Sequence, residues 1–132
     1  MKEVVAIIRM NKMNPTKKAL VDAGFPAFTA THVMGRGKKA LDENLVRAIQ
    51  EAPEDSADAL HLMAQGPRLM PKRMIKLVVP DKAVKRLVDC LISVNKTGSP
   101  GDGKIFVLPV QDVVRVRTGE TGQDAIDEMD VE

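Results

Sequence analysis

The stretch "RMIKLVVPDKAVKRLVDCLISV", residues 73–94, changes its hydrophobic pattern once and thereby indicates the fold. Residues 73–81 are rich in apolar and β-branched side chains and predict a strand closed by Pro80. Asp81 then stands where it can cap a helix. In that helix, apolar residues recur 3, 4, 7 and 8 positions after Val84, which is the spacing of one helical face. The stretch therefore predicts a strand followed by an amphipathic helix.

Strand-forming sequence follows this unit. "KIFVLPV", residues 104–110, and "VVRVR", residues 113–117, both combine apolar and β-branched side chains in short runs. The second half of the chain is therefore expected to be a β-α-β unit.

The first 34 residues repeat the same order. Residues 2–9 predict a buried strand, and residues 14–23 a helix that Asn14 caps and Gly24 stops. Residues 27–34 alternate in the way of a strand with two different faces. Two β-α-β units predict an α+β fold of the ferredoxin-like βαββαβ plan with an antiparallel sheet. Helices on one face would leave the other face for a second subunit to cover.

Residues 35–72 form a long connection between the two halves. Connections longer than about 15 residues are uncommon in compact domains and are usually functional or disordered. Basic residues stand near both ends of this one, and acidic residues dominate between them. We interpret it as a partner-binding arm of about residues 36–72, while a solvated insertion without a role stays open.

Composition limits the classes of function. The 132 residues fit one domain, 1–132, with an acidic tail of about residues 121–132 that we expect to be frayed. Three aromatic residues, all Phe, offer few rings for stacking on bases, which argues against nucleic acid. Cys90 is a single cysteine, so an internal disulfide is excluded. No apolar run approaches the roughly 20 residues that a bilayer requires, so we expect no membrane insertion and a cytoplasmic protein.

The loop "TGSPGDGK", residues 97–104, has the composition of an anion-binding turn. Its three glycines allow positive φ and close approach of the backbone to a ligand, and Lys104 adds a full charge. The loop is not a nucleotide-binding P-loop, because Ile105 rather than Ser or Thr follows the lysine and a strand begins there. A plain glycine turn leading into a strand remains the alternative.

Two further basic segments favour the same ligand class. Arg115 and Arg117 stand two apart, so on a strand their guanidinium groups would share one face and could clamp a polyphosphate. Gly35-Arg36-Gly37-Lys38 is a flexible basic loop directly after a predicted strand. Each segment alone also fits a charged edge or a simple turn. Together with the glycine loop they indicate a nucleotide phosphate.

The segment "TGSPGDGKIFVLPVQDVVRVRTGE", residues 97–120, resembles the PII signal-transduction protein family of GlnB/GlnK-like proteins. "VAIIRM", residues 5–10, and "VMGRGK", residues 33–38, are similar to its N-terminal positions. The resemblance implies a ferredoxin-like trimer with three clefts between subunits, each binding ATP or ADP. It also implies that Mg²⁺ with ATP creates a site for 2-oxoglutarate, and that a long T-loop, here about residues 36–72, binds targets.

The resemblance assigns roles residue by residue. The nucleotide-binding positions are Ile7, Thr29, Gly35, Gly37, Lys38, Val78, Gly101, Asp102, Gly103, Lys104, Arg115 and Arg117. The two arginines would come from the neighbouring subunit, while Ile7, Thr29 and Val78 would surround the adenine. The 2-oxoglutarate positions are Lys39, Lys72 and Gly101, and the expected target-binding positions are Asp42, Glu43, Leu45, Arg47, Ile49 and Glu51. No residue is assigned to catalysis or as a metal ligand.

The sequence also departs from the family pattern. Lys39 stands where typical members have a glutamine that helps hold Mg²⁺ and 2-oxoglutarate. The chain contains no tyrosine, which excludes covalent modification of a T-loop tyrosine. A long, tyrosine-free arm with "GRGKK" is similar to the nitrogenase-regulating, NifI-type subgroup of methanogens and some anaerobic bacteria. That subgroup implies a homotrimer or a hetero-oligomer with a second PII-like subunit, and a dinitrogenase target that is inhibited until 2-oxoglutarate with ATP releases it.

Three alternatives stay open. The chain could regulate another PII target, such as an ammonium transporter or glutamine synthetase. It could be an ATP-hydrolysing enzyme, with Asp102 orienting a water, although His32 in a strand and His61 in the arm give no recognisable nucleophile and base pair. Nucleic-acid binding lacks a coherent basic face. A non-enzymatic sensor is the expected function.

Overall fold

The computed structural model describes residues 1–37 and 69–129. The chain divides into two compact units, Met1–Val33 with Lys72–Glu132, and Met34–Pro71. No helix within the described ranges is long and apolar enough to cross a bilayer.

Within residues 1–37 and 69–129, strands and α-helices follow the order β-α-β-β-α-β. Strand β1 spans Lys2–Arg9, helix α1 Met13–Asp22, strand β2 Thr29–Gly35, strand β3 Met70–Val79, helix α2 Val84–Asn95 and strand β4 Lys104–Pro109. Short 3₁₀ turns, Met10–Lys12 and Asp81–Ala83, precede the two helices, and a third, Gly122–Ala125, lies in the C-terminal segment.

The four strands form one sheet in the order β2-β3-β1-β4, with β1 antiparallel to both β3 and β4. Opposite each other across the strands lie Ile7 and Met74 on one side and Ile7 and Lys104 on the other. This architecture confirms the predicted ferredoxin-like α+β fold. Its central strand β1 ends beside the start of β4, where the glycine loop arrives.

The core lies between the sheet and the two helices. Alternate residues of β3 are buried, as are Val4, Ala6 and Ile8 of β1, as expected of strands that are covered on one face; Val5 on the other face of β1 is also largely buried. Together with residues of the helices and of the connection after α1, the core-facing strand residues form one hydrophobic cluster. The largest fully buried members of this cluster are Phe25, Leu20, Ile75, Leu77, Leu87 and Leu91. The stripe predicted on α2 is only partly in this core, because Leu87 and Leu91 are buried whereas Ile92 is 46% exposed.

Both predicted helix caps are wrong. Helix α1 begins at Met13 because a 3₁₀ turn starts directly after β1, so Asn14 lies inside the first helical turn. Asp81 opens the turn before α2 and makes no side-chain cap. Its carboxylate instead accepts the ammonium group of Met1 at 3.0 Å. The Asp81 side chain therefore binds the chain's N-terminal ammonium group rather than the free amides at the start of α2.

The strand predicted at residues 113–117 is also wrong. The segment forms an isolated bridge between Val114 and Thr121, and the chain then reverses locally. The amide of Arg115 donates to the Glu120 carbonyl at 2.8 Å, and the Gly119 amide donates to the Arg115 carbonyl at 2.7 Å. These local bonds satisfy the backbone without a neighbouring strand.

The tail makes more contacts with the core than predicted, as far as residue 129. Ala125, in the 3₁₀ turn, is 7% exposed, and Met129 packs against the core. Burial raises the pKa of the Glu128 carboxyl. The expectation of a frayed and solvated tail is therefore wrong for Ala125 and Met129, whose apolar side chains contact the core, whereas Asp124 and Asp127 are exposed.

Candidate functional site

The glycine loop leads from α2 to β4 and approaches β1 closely. Gly101 and Gly103 have φ of +98° and +115°, a region that side chains with a Cβ rarely adopt. A Cβ on Gly103 would collide with the carbonyl oxygen of Ile7, and one on Gly101 would lie 3.3 Å from the Arg9 guanidinium. Glycine is thus required where the loop passes the end of β1.

Asp102 organises the first half of the loop. Its carboxylate accepts the hydroxyl of Thr97, the Thr97 amide at 2.7 Å and the Gly98 amide at 2.9 Å. These bonds, chiefly that from the Thr97 hydroxyl, lower the pKa of Asp102 to about 2. The carboxylate is therefore ionised at neutral pH and engaged with the loop itself, which is not the arrangement of a catalytic base that faces a substrate.

A cavity of about 420 Å³ opens beside this loop. It brings together four of the predicted nucleotide positions, Ile7, Asp102, Gly103 and Lys104. Its other lining residues are Ile8, Val88, Leu91, Ile92, Asn95, Lys96 and Ile105. The walls therefore combine apolar side chains with two lysines and one carboxylate, that of Asp102, and their net positive charge suits a ligand with an apolar part and a negative charge.

Lys72, predicted for 2-oxoglutarate, lies at the same loop. Its ammonium group donates to the carbonyl of Gly101 at 3.4 Å. Across the strands Lys72 pairs with Arg9, whose guanidinium also reaches that carbonyl, at 3.1 Å. Two cations from neighbouring strands thus meet the loop near Gly101.

The sequence alone assigns no role to Arg9. It forms an ion pair with Asp102 at 3.1 Å, with both side chains mostly buried. The available signal was a basic residue at the end of an apolar strand, and nothing local showed that it reaches a loop more than 90 residues away.

The single chain does not bring all the predicted adenine positions together. Val78 pairs with Glu3, whereas Ile7 pairs with Met74. Four residues along a strand separate the two levels by roughly 13 Å. Thr29 is exposed at the start of β2.

Gly35 and Gly37 belong to the second compact unit. A Cβ added at either would meet no atom within 4 Å. Predicted positions that lie outside the described residues are Lys38, Lys39, Asp42, Glu43, Leu45, Arg47, Ile49 and Glu51.

Arg115 and Arg117 do not lie on a strand. The Arg115 guanidinium binds Glu120 at 2.6 Å and also Asp127, while Arg117 is exposed. The argument that strand alternation places both on one face is therefore wrong. Within one chain, Arg115 already has two carboxylate partners.

The described residues do not fit a metal ion by themselves. Among residues 1–37 and 69–129, no group of three His, Cys, Asp or Glu side chains could hold one. Asp102, the one acidic residue of the glycine loop, accepts three hydrogen bonds from Thr97 and Gly98.

The glycine loop, the strand beside it and the order of the sheet define the class of protein. The model of the nitrogen regulatory protein P-II family matches residues 1–120, and the chain belongs to that family. Members are signalling regulators, which confirms the expectation of a protein that is not an enzyme.

Three similar proteins of this family carry names that refer to nitrogen fixation. A "nitrogen fixation nifHD region GlnB-like protein 2" of Methanobacterium ivanovii is 50% identical over 127 residues, covering 96% of this chain and 99% of its own. Proteins of the same name from Methanothermobacter marburgensis and Methanococcus maripaludis are each 44% identical, cover 96% of this chain and are matched over their full length. These names confirm the predicted resemblance to the NifI-type subgroup.

Proposed function

We propose that the protein senses ATP or ADP together with 2-oxoglutarate and, through residues 36–72, inhibits dinitrogenase when nitrogen is sufficient. The observation that carries the proposal is the glycine loop, which is ordered against β1 and opens a cavity with Lys104 on its wall. Lys72 at the same loop supplies a second cation for a dicarboxylate.

The proposed working form is a trimer, or a hetero-oligomer with a second PII-like subunit, in the cytoplasm. Phe106 and Leu108 of β4 lie opposite Val5 and Glu3 of β1, on strand positions that alternate with the core-facing Val4. They are 47% and 44% exposed in the single chain. A neighbouring subunit would cover this apolar face and bring Arg115 and Arg117 to the phosphates.

The ligand-binding step is tested by calorimetry with ATP. Lys104→Ala removes a charge-assisted contact to phosphate and should weaken binding by about 1.5 to 3 kcal/mol. Lys18→Ala, which removes an exposed cation on α1, is the matched control and should bind like the wild type. Equal affinities for wild type and Lys104→Ala would contradict the assignment of the loop.

The target-binding step is tested by deleting residues 42–66. The shortened chain should still assemble to about three times its own mass and bind ATP, but should no longer capture dinitrogenase in a pull-down. Retained capture would show that the arm is not the binding element. The full chain could instead capture an ammonium transporter or glutamine synthetase and not dinitrogenase. That result would change the proposed target but would not contradict the proposed ligand sensing.

A further inference from the structure

Arg9, the last residue of β1, holds the second half of the glycine loop. Its Nε donates to the Gly101 carbonyl at 3.1 Å, and its Nη2 donates to the Pro100 carbonyl at 2.9 Å. Nη2 also binds the Asp102 carboxylate at 3.1 Å. A guanidinium group presents several donors in a fixed planar fork, so one side chain can hold three successive loop residues.

Asp102 holds the first half of the same loop through Thr97 and Gly98. The ion pair between Arg9 and Asp102 therefore joins two sets of loop bonds, one at residues 97–98 and one at residues 100–101. Without these bonds a segment with three glycines would have many backbone conformations, and a ligand would have to order it on binding.

The packing of the loop supports a specific role for the guanidinium. It lies 3.3 Å from the place where a side chain on Gly101 would begin. About a third of the Arg9 side chain remains exposed, and two of its three nitrogens already donate to the loop. The side chain is thus placed to shape the loop backbone rather than to meet a ligand.

We propose that Arg9 is a positioning residue, which fixes the glycine loop in the conformation that receives an anionic phosphate group. The role deepens the proposed function and rests on it for the identity of the ligand. The ordering of the loop itself is a property of the free protein and needs no ligand. The two levels can therefore be tested separately.

The test compares Arg9→Lys and Arg9→Met with the wild type, with Lys18→Met as the control for loss of a surface charge. Amide hydrogen exchange of Thr97 and Gly98 in the ligand-free protein measures the order of the loop. Both Arg9 variants should exchange at least about tenfold faster, since neither can form the fork. Calorimetry should show ATP binding weakened by a similar factor of about ten, because a smaller fraction of the protein is competent to bind.

The conservative variant separates positioning from charge. Arg9→Lys keeps the cation but loses the planar fork, so it should behave like Arg9→Met. In both Arg9 variants, ATP affinity should fall with rising salt concentration as steeply as in the wild type. If Arg9 contacted a phosphate directly, its loss would make this fall less steep.

Three results would overturn the role: wild-type exchange in both variants, full rescue by lysine, or a shallower salt dependence. Failure of the wild type to bind ATP would overturn the proposed function, while the exchange measurement would still decide whether Arg9 orders the loop. Arg9→Lys also guards against misfolding of Arg9→Met, and the melting temperature of each variant reports this directly.

Discussion

At the scale of single residues, Asp102 is the group that most directly links the loop to pH. The folded chain lowers its pKa to about 2 through the Thr97 hydroxyl, the Thr97 and Gly98 amides and Arg9. A carboxyl whose pKa falls on folding binds fewer protons in the folded state. Its stabilising effect is therefore complete above about pH 4 and is lost as the pH falls towards about 2.

The wild type should accordingly melt at a higher temperature than Asp102→Asn at about pH 5, and this difference should become smaller as the pH is lowered to about 2. The carboxamide cannot ionise, so the variant lacks this part of the acid dependence. Asp22→Asn, on the exposed face of α1, controls for a change in net charge. A difference that stays constant across this range would show that Asp102 does not stabilise the loop in its ionised form.

At the scale of elements, the C-terminal segment binds Arg115, one of the residues predicted to contact a nucleotide phosphate. Arg115 is bound by Glu120 from its own turn and by Asp127 from the tail. The turn Gly122–Ala125 lies between these carboxylates, and its buried Ala125 anchors the tail. If Arg115 serves a nucleotide phosphate, the carboxylate of Asp127 competes for the same guanidinium.

Asp127→Asn should therefore tighten ATP binding, by about two- to fivefold, since an exposed ion pair contributes at most about 1 kcal/mol. Asp124→Asn, an exposed carboxylate in the same turn, is the matched control and should leave the affinity unchanged. Calorimetry on the three proteins decides the matter. Weaker or unchanged binding in Asp127→Asn would mean that the tail does not compete for Arg115.

The elements also show how far sequence reasoning reaches. Within the described residues, the four strands and both helices were predictable, because short runs of apolar and β-branched residues favour strands and a 3.6-residue apolar period favours helices. Residues 113–117 have the alternation of a strand, but the single chain provides no neighbouring strand for them and local bonds prevail. The predictions of the helix caps were wrong because a 3₁₀ turn precedes each helix and changes the residue at which the helix begins. No short sequence pattern reveals such a turn.

Some parts of the candidate site could be predicted from the sequence, and others could not. The glycine loop could be found because positive φ and close approach to Ile7 require glycine, and glycine is visible in the sequence. Arg9 could not be found, because its hydrogen bonds span more than 90 residues of chain. The separation of Ile7 from Val78 follows from strand register, which the sequence alone does not set.

At the scale of the whole molecule, the proposed function couples ligand binding at the glycine loop to the arm of about residues 36–72. A ligand can shift the arm between two states only by its differential affinity for them. The proposed sensor therefore requires that the two ligands bind in a coupled way, and in the proposed oligomer that coupling is a property of the assembly rather than of any one residue.

Calorimetry of 2-oxoglutarate with and without Mg-ATP measures this coupling most directly. We expect heat of 2-oxoglutarate binding only when Mg-ATP is present, even with Lys39 in place of the usual glutamine. Binding of equal affinity without ATP, or no binding under either condition, would contradict the proposed sensor.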